Sequence, residues 1–229
     1  MCGRLVLTSN YKEKIKAIFD GLDADDEWLP PRYNITPGQK LPLVSQTAPR
    51  RLQWMIWGFT PSPRSDDENK RALLINARSE TIDRLPTFKT SFQQNRCVIL
   101  VDGFYEWKRA ANLKPQPYFF SMKNHGAFAV AGLQLSDAKN KSAGFVVITT
   151  EANSLMHPVH DRMPVIFTPA STQMWLESNT QPDALTAILQ PFPSNEMITN
   201  PVSDRVNRAS REGPELIEPV QIIEQTELF

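Results

Sequence analysis

Across 229 residues, 25 Lys and Arg balance 25 Asp and Glu for a net charge of zero, and 41% of the chain is hydrophobic. Such a composition suits a soluble globular protein with one sizeable core and excludes a strongly basic global field, so any binding of nucleic acid must use a local patch. Two cysteines make no disulfide framework, no apolar run approaches the roughly 18 residues of a membrane helix, and the start of the chain lacks the basic and apolar regions of a signal peptide, so a cytosolic location extending to the nucleoid is expected, with no membrane association.

Taken in order, residues 3–8 read as a short strand, which ties Cys2 to a strand end. Ser9 or Asn10 then caps a helix over 11–22, whose Tyr11, Ile15, Ile18, Phe19 and Leu22 share one face. Residues 23–31 are acidic and end in Pro30-Pro31, and Arg32-Tyr33-Asn34-Ile35-Thr36-Pro37-Gly38 reads as an ordered, turn-rich stretch rather than a helix. Strands are expected at 41–45, 52–59, 73–77, 96–101, 105–108, 117–122, 127–135 and 145–149, each short, rich in β-branched or aromatic residues and bounded by turn formers. Helices are expected at 87–94, 172–178 and 183–189, and residues 61–70, with a Ser-Asp-Asp-Glu-Asn run, as an exposed mobile loop. The sum is a single β-rich α+β domain over 2–220, a curled or barrel-like antiparallel sheet with peripheral helices, followed by a tail at 221–229 with no assigned role.

Chemistry concentrates at the amino terminus and at four polar islands. Removal of Met1, favoured by the small side chain after it, would make Cys2 a 1,2-aminothiol. An amine and a thiol on adjacent carbons trap an aldehyde: the amine condenses to an imine, and the thiol closes a thiazolidine on it. The reference pKa values of the two groups, about 7.7 to 8.0 and about 8.5, lie close to neutrality. Cys2 also reads as a small buried residue opening the first strand, and Cys97, inside an apolar run, as inert. Asn76 reads as a cap or a strand-edge group, and Arg78 with Glu80 as a surface ion pair. Glu106 lies between Tyr105 and Trp107, so alternation puts it opposite both aromatics: solvated if they face the core, a proton carrier if the pleat turns it into a pocket. His160 stands beside Asp161 and Arg162 ahead of Met163-Pro164, either as a structural loop pair or as an acid–base group. The histidines His125, His157 and His160 lack partners at metal-site spacing, so neither metal nor cofactor is expected.

In combination, Cys2-Gly3-Arg4, Tyr33-Asn34-Ile35-Thr36-Pro37-Gly38, Trp57-Gly58, Asn76-Ala77-Arg78-Ser79-Glu80-Thr81, Gly103-Phe104-Tyr105-Glu106-Trp107 and His160-Asp161-Arg162-Met163-Pro164 resemble the SRAP family, named for an SOS-response-associated peptidase, whose members shield abasic sites in single-stranded DNA. The resemblance spans residues 2 to about 220. It implies that Cys2 is the nucleophile joined by a thiazolidine to the ring-opened sugar, that His160 helps open the sugar, that Glu106 moves protons at the amine or thiol, and that Asn76 positions the terminus. It further implies phosphate contacts from Arg4, Arg78 and Arg162, with Thr149 and the Pro37-Gly38 turn near the lesion through free backbone amides, and a DNA-processing monomer with lyase activity and self-processing after Met1. Many relatives carry a tryptophan-containing stretch after the Trp-Gly motif; this chain does not, leaving Phe59 or Arg64 as substitutes for an aromatic wedge.

Two rival readings remain. An N-terminal-nucleophile glutamine amidotransferase also begins Met-Cys-Gly, although its Asn-Gly-Asp oxyanion segment is absent. A non-catalytic single-strand binding module would use the same arginines while Cys2 stays structural.

Overall fold

Alternation of apolar and polar residues sorts the chain into two curled sheets. The computed structural model describes residues 2–8, 18–19, 30–61, 72–109, 111, 114–139 and 142–222. The helix expected at 11–22 and the loop expected at 61–70 therefore lie outside the described residues except for Ile18, Phe19 and Pro61, as does most of the tail. In chain order the strands are β1 (Leu5–Leu7), β2 (Arg32–Ile35), β3 (Lys40–Ser45), β4 (Ala48–Ile56), β5 (Asn76–Arg78), β6 (Arg96–Val101), β7 (Gly103–Lys108), β8 (Gln116–Met122), β9 (Phe128–Asp137), β10 (Ser142–Glu151), β11 (Arg162–Pro164), β12 (Ile166–Phe167) and β13 (Met197–Pro201). The described helices are α1 (Pro86–Gln94), α2 (Pro169–Leu176) and α3 (Pro182–Ala187).

One sheet runs β13-β8-β7-β1-β2 and the other β11-β10-β9-β6-β3-β4, with β12 on β9 and β5 on β10. The pairing is antiparallel apart from β5, which lies parallel to β10 with Val147 opposite Asn76 and Thr149 opposite Arg78. The result is the expected curled, mostly antiparallel α+β domain, corrected by that parallel strand. Every residue of β6 is buried, and the core takes in both faces of its sheet, with Leu41, Leu43 and Val130 on one and Val98, Leu100, Leu133, Val146 and Ile148 on the other.

Only Asp102 separates β6 from β7, so the chain turns from one sheet into the other at one residue. Its N–H donates to Val6 O (2.8 Å), while its carboxylate accepts from the Thr8 N–H and from Thr8 Oγ1 (2.8 Å). That corner pins β1, and with it Cys2, against the seam between the sheets. A second small core of Val6, Tyr105, Phe119, Val202, Val206 and Leu216 covers the outer face of β7, so this strand is buried on both sides. Gly144 permits close approach of β10 to the Trp57-Gly58 segment: a Cβ there would stand 2.0 Å from Gly58 O.

All three described helices carry proline at their first turn, where its missing N–H has no intrahelical role. Proline thus opens these helices instead of preceding them, and they begin at 86, 169 and 182, up to three residues ahead of expectation. Thr168 and Ser171 cap α2 reciprocally, Ser171 N–H donating to Thr168 Oγ1 (3.3 Å) and Thr168 N–H to Ser171 Oγ (2.9 Å). No helix among the described residues is long and apolar enough to cross a membrane.

Candidate active site around Cys2

Four elements deliver the candidate side chains. Cys2 lies three residues ahead of the interior strand β1, Asn76 opens β5, Glu106 is on β7 beside β1, and His160 ends the turn that leads into β11. Cys2 is fully buried, and its carbonyl accepts a hydrogen bond from Asn76 Nδ2 (3.0 Å). The other face of that amide is poised: Asn76 Oδ1 is buried with no hydrogen-bond partner. A buried acceptor without a donor is costly, which makes it a candidate ligand contact.

Burial pushes the Cys2 thiol up, and the negative charge of Glu106 pushes it further. Glu106 is itself 3% exposed. Burial raises its carboxyl above the ordinary glutamate value, opposed by the positive charges of the amino terminus and His160. Cys2, Glu106, the terminus and His160 thus share one electrostatic neighbourhood. Alternation holds along β7, but the second core buries Tyr105, so both faces of the strand are enclosed and Glu106 is buried as well.

A helical turn fixes His160. Asn153 Oδ1 accepts from Leu155 N–H (3.1 Å) and Met156 N–H (2.9 Å), and His160 N–H donates to Met156 O (3.0 Å). Arg162 N–H donates to His160 Nδ1 (2.9 Å), which directs the ring proton to Nε2, although Asp161 Oδ1 is also 2.9 Å from Nδ1.

The expected DNA-contacting residues differ in how open they are. Arg78 is exposed. Arg4 donates to Asn34 Oδ1 (2.7 Å), Val206 O (3.2 Å) and Asn207 O (3.4 Å), and Arg162 grips Glu80 through Nη1 (2.5 Å) and Nη2 (2.9 Å). The surface pair read between Arg78 and Glu80 is thus corrected: Glu80 reaches Arg162. Arg162 Nε is buried with no hydrogen-bond partner. Thr149 is wholly buried, its hydroxyl donating to Ala77 O (3.4 Å). Pro37 and Gly38 form a turn with Gly38 at φ +89°, but its amides are not free: Gly38 N–H donates to Trp57 O (2.7 Å) and Gln39 N–H to Thr36 O (3.2 Å). Phe59 is 5% exposed and bridges to Leu74, so it is a core residue and no wedge, while Arg64 lies outside the described residues.

Sequence reasoning missed Glu80 as a partner of Arg162 and Asn34 as the anchor of Arg4. Both depend on pairs 82 and 30 residues apart. A polar residue at 0% exposure inside a strand, as Asn34 is, was the one available signal, and only a structure supplies it.

Comparison with known proteins identifies the family. The family description SOS response associated peptidase (SRAP) matches residues 1–209. The abasic site processing protein YoqW of Bacillus subtilis is 37% identical over 228 residues, covering 95% of this chain and 99% of that one. The abasic site processing protein YedK of Escherichia coli is 27% identical over 228 residues, covering 96% of this chain and 100% of its own. A crystal structure of a Bacteroides thetaiotaomicron protein shares the fold with a TM-score of 0.82 at 22% identity, over 96% of this chain and 100% of that one. With the family description matching from residue 1 to residue 209, the chain belongs to the SRAP family.

Proposed function

We propose that this protein processes abasic sites in single-stranded DNA, capturing the lesion as a thiazolidine on Cys2 once Met1 is removed. The observation that carries this reading is the enclosure of Cys2 by Asn76, whose amide holds its carbonyl, and by buried Glu106. Relatives named abasic site processing proteins supply the substrate class.

The chemistry balances as aldehyde plus amine plus thiol giving thiazolidine plus one water. With its Nδ1 engaged by the Arg162 N–H, His160 presents Nε2–H to assist opening of the sugar hemiacetal to the aldehyde. The α-amine of Cys2 attacks the carbonyl carbon, water leaves, and an imine forms. Asn76 Oδ1, a buried acceptor without a donor, receives the amine N–H and orients the lone pair. The thiol then adds to the imine carbon. Its proton passes to the Glu106 carboxylate as the C–S bond forms, the imine π pair moves to nitrogen, and Glu106 returns the proton to that nitrogen, ending again as carboxylate. Burial suits Glu106 to this, because a raised carboxyl accepts a proton more readily than an exposed one. The same imine acidifies the sugar protons next to it, which gives a route to β-elimination and hence to lyase activity. Cleavage after Met1 would be self-processing at the same nucleophile.

Exposed Arg78 makes the principal phosphate contact, with Arg162 Nε as a donor that a phosphate oxygen would satisfy and Arg4 holding the strand-end backbone. Thr149 and the Pro37-Gly38 turn act from behind, as supports of this surface.

Intact-mass spectrometry tests the proposal. Purified protein without Met1, incubated with a single-stranded oligonucleotide bearing one abasic site, gains the mass of the DNA less one water. Cys2→Ala gains nothing. Noncovalent binding that survives Cys2→Ala with no covalent product in the wild type would sink the capture mechanism in favour of a binding module, and glutamine hydrolysis without DNA capture would favour the amidotransferase.

A further inference from the structure

Arg162 spans three strands. Its own strand β11 pairs with one edge of β10, Glu151 opposite Arg162, while β5 pairs with the other edge, Thr149 opposite Arg78. From β11 its guanidinium crosses β10: Nη2 donates to Thr149 O (2.6 Å), the carbonyl that also accepts Ser79 N–H (2.9 Å), and both terminal nitrogens grip the Glu80 carboxylate just beyond β5. The two strands tied together are those that carry Asn76 and follow His160. The Arg162 hydrogen bond holds the Glu80 carboxyl below the ordinary value, so the pair is ionised at neutral pH.

At its other end the same residue decides the state of His160. Nδ1 faces two neighbours, the Arg162 N–H at 2.9 Å and Asp161 Oδ1 at 2.9 Å. The first needs a lone pair on Nδ1 and the second a proton there, so one imidazole cannot satisfy both while neutral. With the Arg162 backbone held in place, the lone pair is engaged and the proton resides on Nε2. If that backbone moves away, Asp161 draws the proton to Nδ1.

We propose that Glu80 is a positioning residue: by anchoring the Arg162 guanidinium across β10, it holds His160 in the Nε2–H tautomer and keeps the His160 turn in register with the strand bearing Asn76. This rests on the reading of His160 as the acid–base group of capture. Glu80 touches neither the nucleophile nor the aldehyde, and it acts only through Arg162. A bidentate guanidinium–carboxylate pair suits that task because it fixes orientation as well as distance.

The test pairs a spectroscopic readout with kinetics on Glu80→Gln, a change at a half-exposed side chain. In ¹⁵N NMR at a pH where the ring is neutral, wild-type His160 shows the Nε2–H pattern, and Glu80→Gln shifts population to Nδ1–H. With saturating abasic oligonucleotide the rate of covalent capture falls about tenfold, as a small misplacement of an acid–base group would give. The Kd for an unreactive tetrahydrofuran-site oligonucleotide stays within about twofold, since exposed Arg78, the principal phosphate contact, is unchanged. Arg162→Lys gives the same tautomer shift, because the shorter lysine lacks the planar fork that grips Glu80 with two nitrogens while also reaching Thr149 O. An unchanged tautomer in both variants overturns the proposal. So does a loss confined to Kd, or faster capture by Glu80→Gln, either of which would make Glu80 a competitor of phosphate for Arg162. Should the wild type form no adduct, the capture reading fails by itself and the NMR result still decides the positioning role.

Discussion

A carboxyl buried beside a thiol holds its proton more tightly than one in water, and Glu106 carries a stability signature of that environment. Its folded-state pKa is raised, chiefly by burial. Between the unfolded value, about 4.3, and the higher folded value, the native state binds more protons than the unfolded state, so this group makes stability fall as pH rises through the window. Glu106→Gln removes the ionisation, and it should raise Tm by about 2–4 °C near pH 8 with a smaller gain near pH 4, read by calorimetry at both values. Equal gains at both would show that burial does not set its proton affinity. The sequence placed Glu106 on the strand face opposite Tyr105 and Trp107 but left open whether that face met water or a pocket. The answer came from Val202, Val206 and Leu216, far along the chain, which bury Tyr105 and leave both faces of β7 enclosed.

At the scale of elements, buried Arg96 joins α1 and α2 to the sheet. From the first residue of β6 its guanidinium donates to Phe92 O (2.9 Å) and Gln93 O (2.8 Å) in the last turn of α1, and to Trp175 O (2.7 Å) and Glu177 O (2.7 Å) at the end of α2. Those are carbonyls that a helix end leaves without intrahelical donors, at the negative end of each dipole. Burial lowers its pKa to about 10, which leaves it cationic at neutral pH. Arg96→Ala should cost about 3 kcal/mol or more in urea unfolding, and Arg96→Lys should recover little, since a single ammonium cannot reach four carbonyls on two helices. The sequence showed β6 to the residue because an unbroken apolar run has few alternatives. It missed β2 and β13 for opposite reasons. Arg32–Ile35 precedes a Pro-Gly turn and reads as part of it, and Met197–Pro201 is an edge strand paired only with β8, where Asn and Pro are tolerated. The run 73–77 misled as well: Leu73 is 48% exposed, Leu74 makes one bridge to Phe59, and the strand proper starts at Asn76, where parallel pairing with β10 begins.

For the whole molecule, a net charge of zero limits how DNA can be held. With Arg78 and Arg162 as the phosphate contacts, log Kd for an intact single strand should vary with log salt with a slope of magnitude about 1.4, at roughly 0.7 per phosphate. Arg78→Ala should reduce that slope by about 0.7, and a slope twice as steep would point to cations outside this surface. The composition made this legible in part, by excluding a global field; which arginines remain open was not, because Arg4 and Arg162 are engaged by acceptors distant in sequence.

The place of Cys2 in the sheet has a mechanical meaning. The residue is joined through Gly3 and Arg4 to β1, which is hydrogen-bonded on one side to β2 and on the other to β7. A pull applied at Cys2 along the strand axis loads both ladders at once and in shear, because antiparallel hydrogen bonds lie across the strand. Bonds sheared together share the load, whereas an edge strand peeled from its end yields them one after another. Cargo fastened at this residue would therefore be tethered to the interior of a sheet, and a motor drawing on it would have to slide an interior strand past two neighbours before the domain gave way.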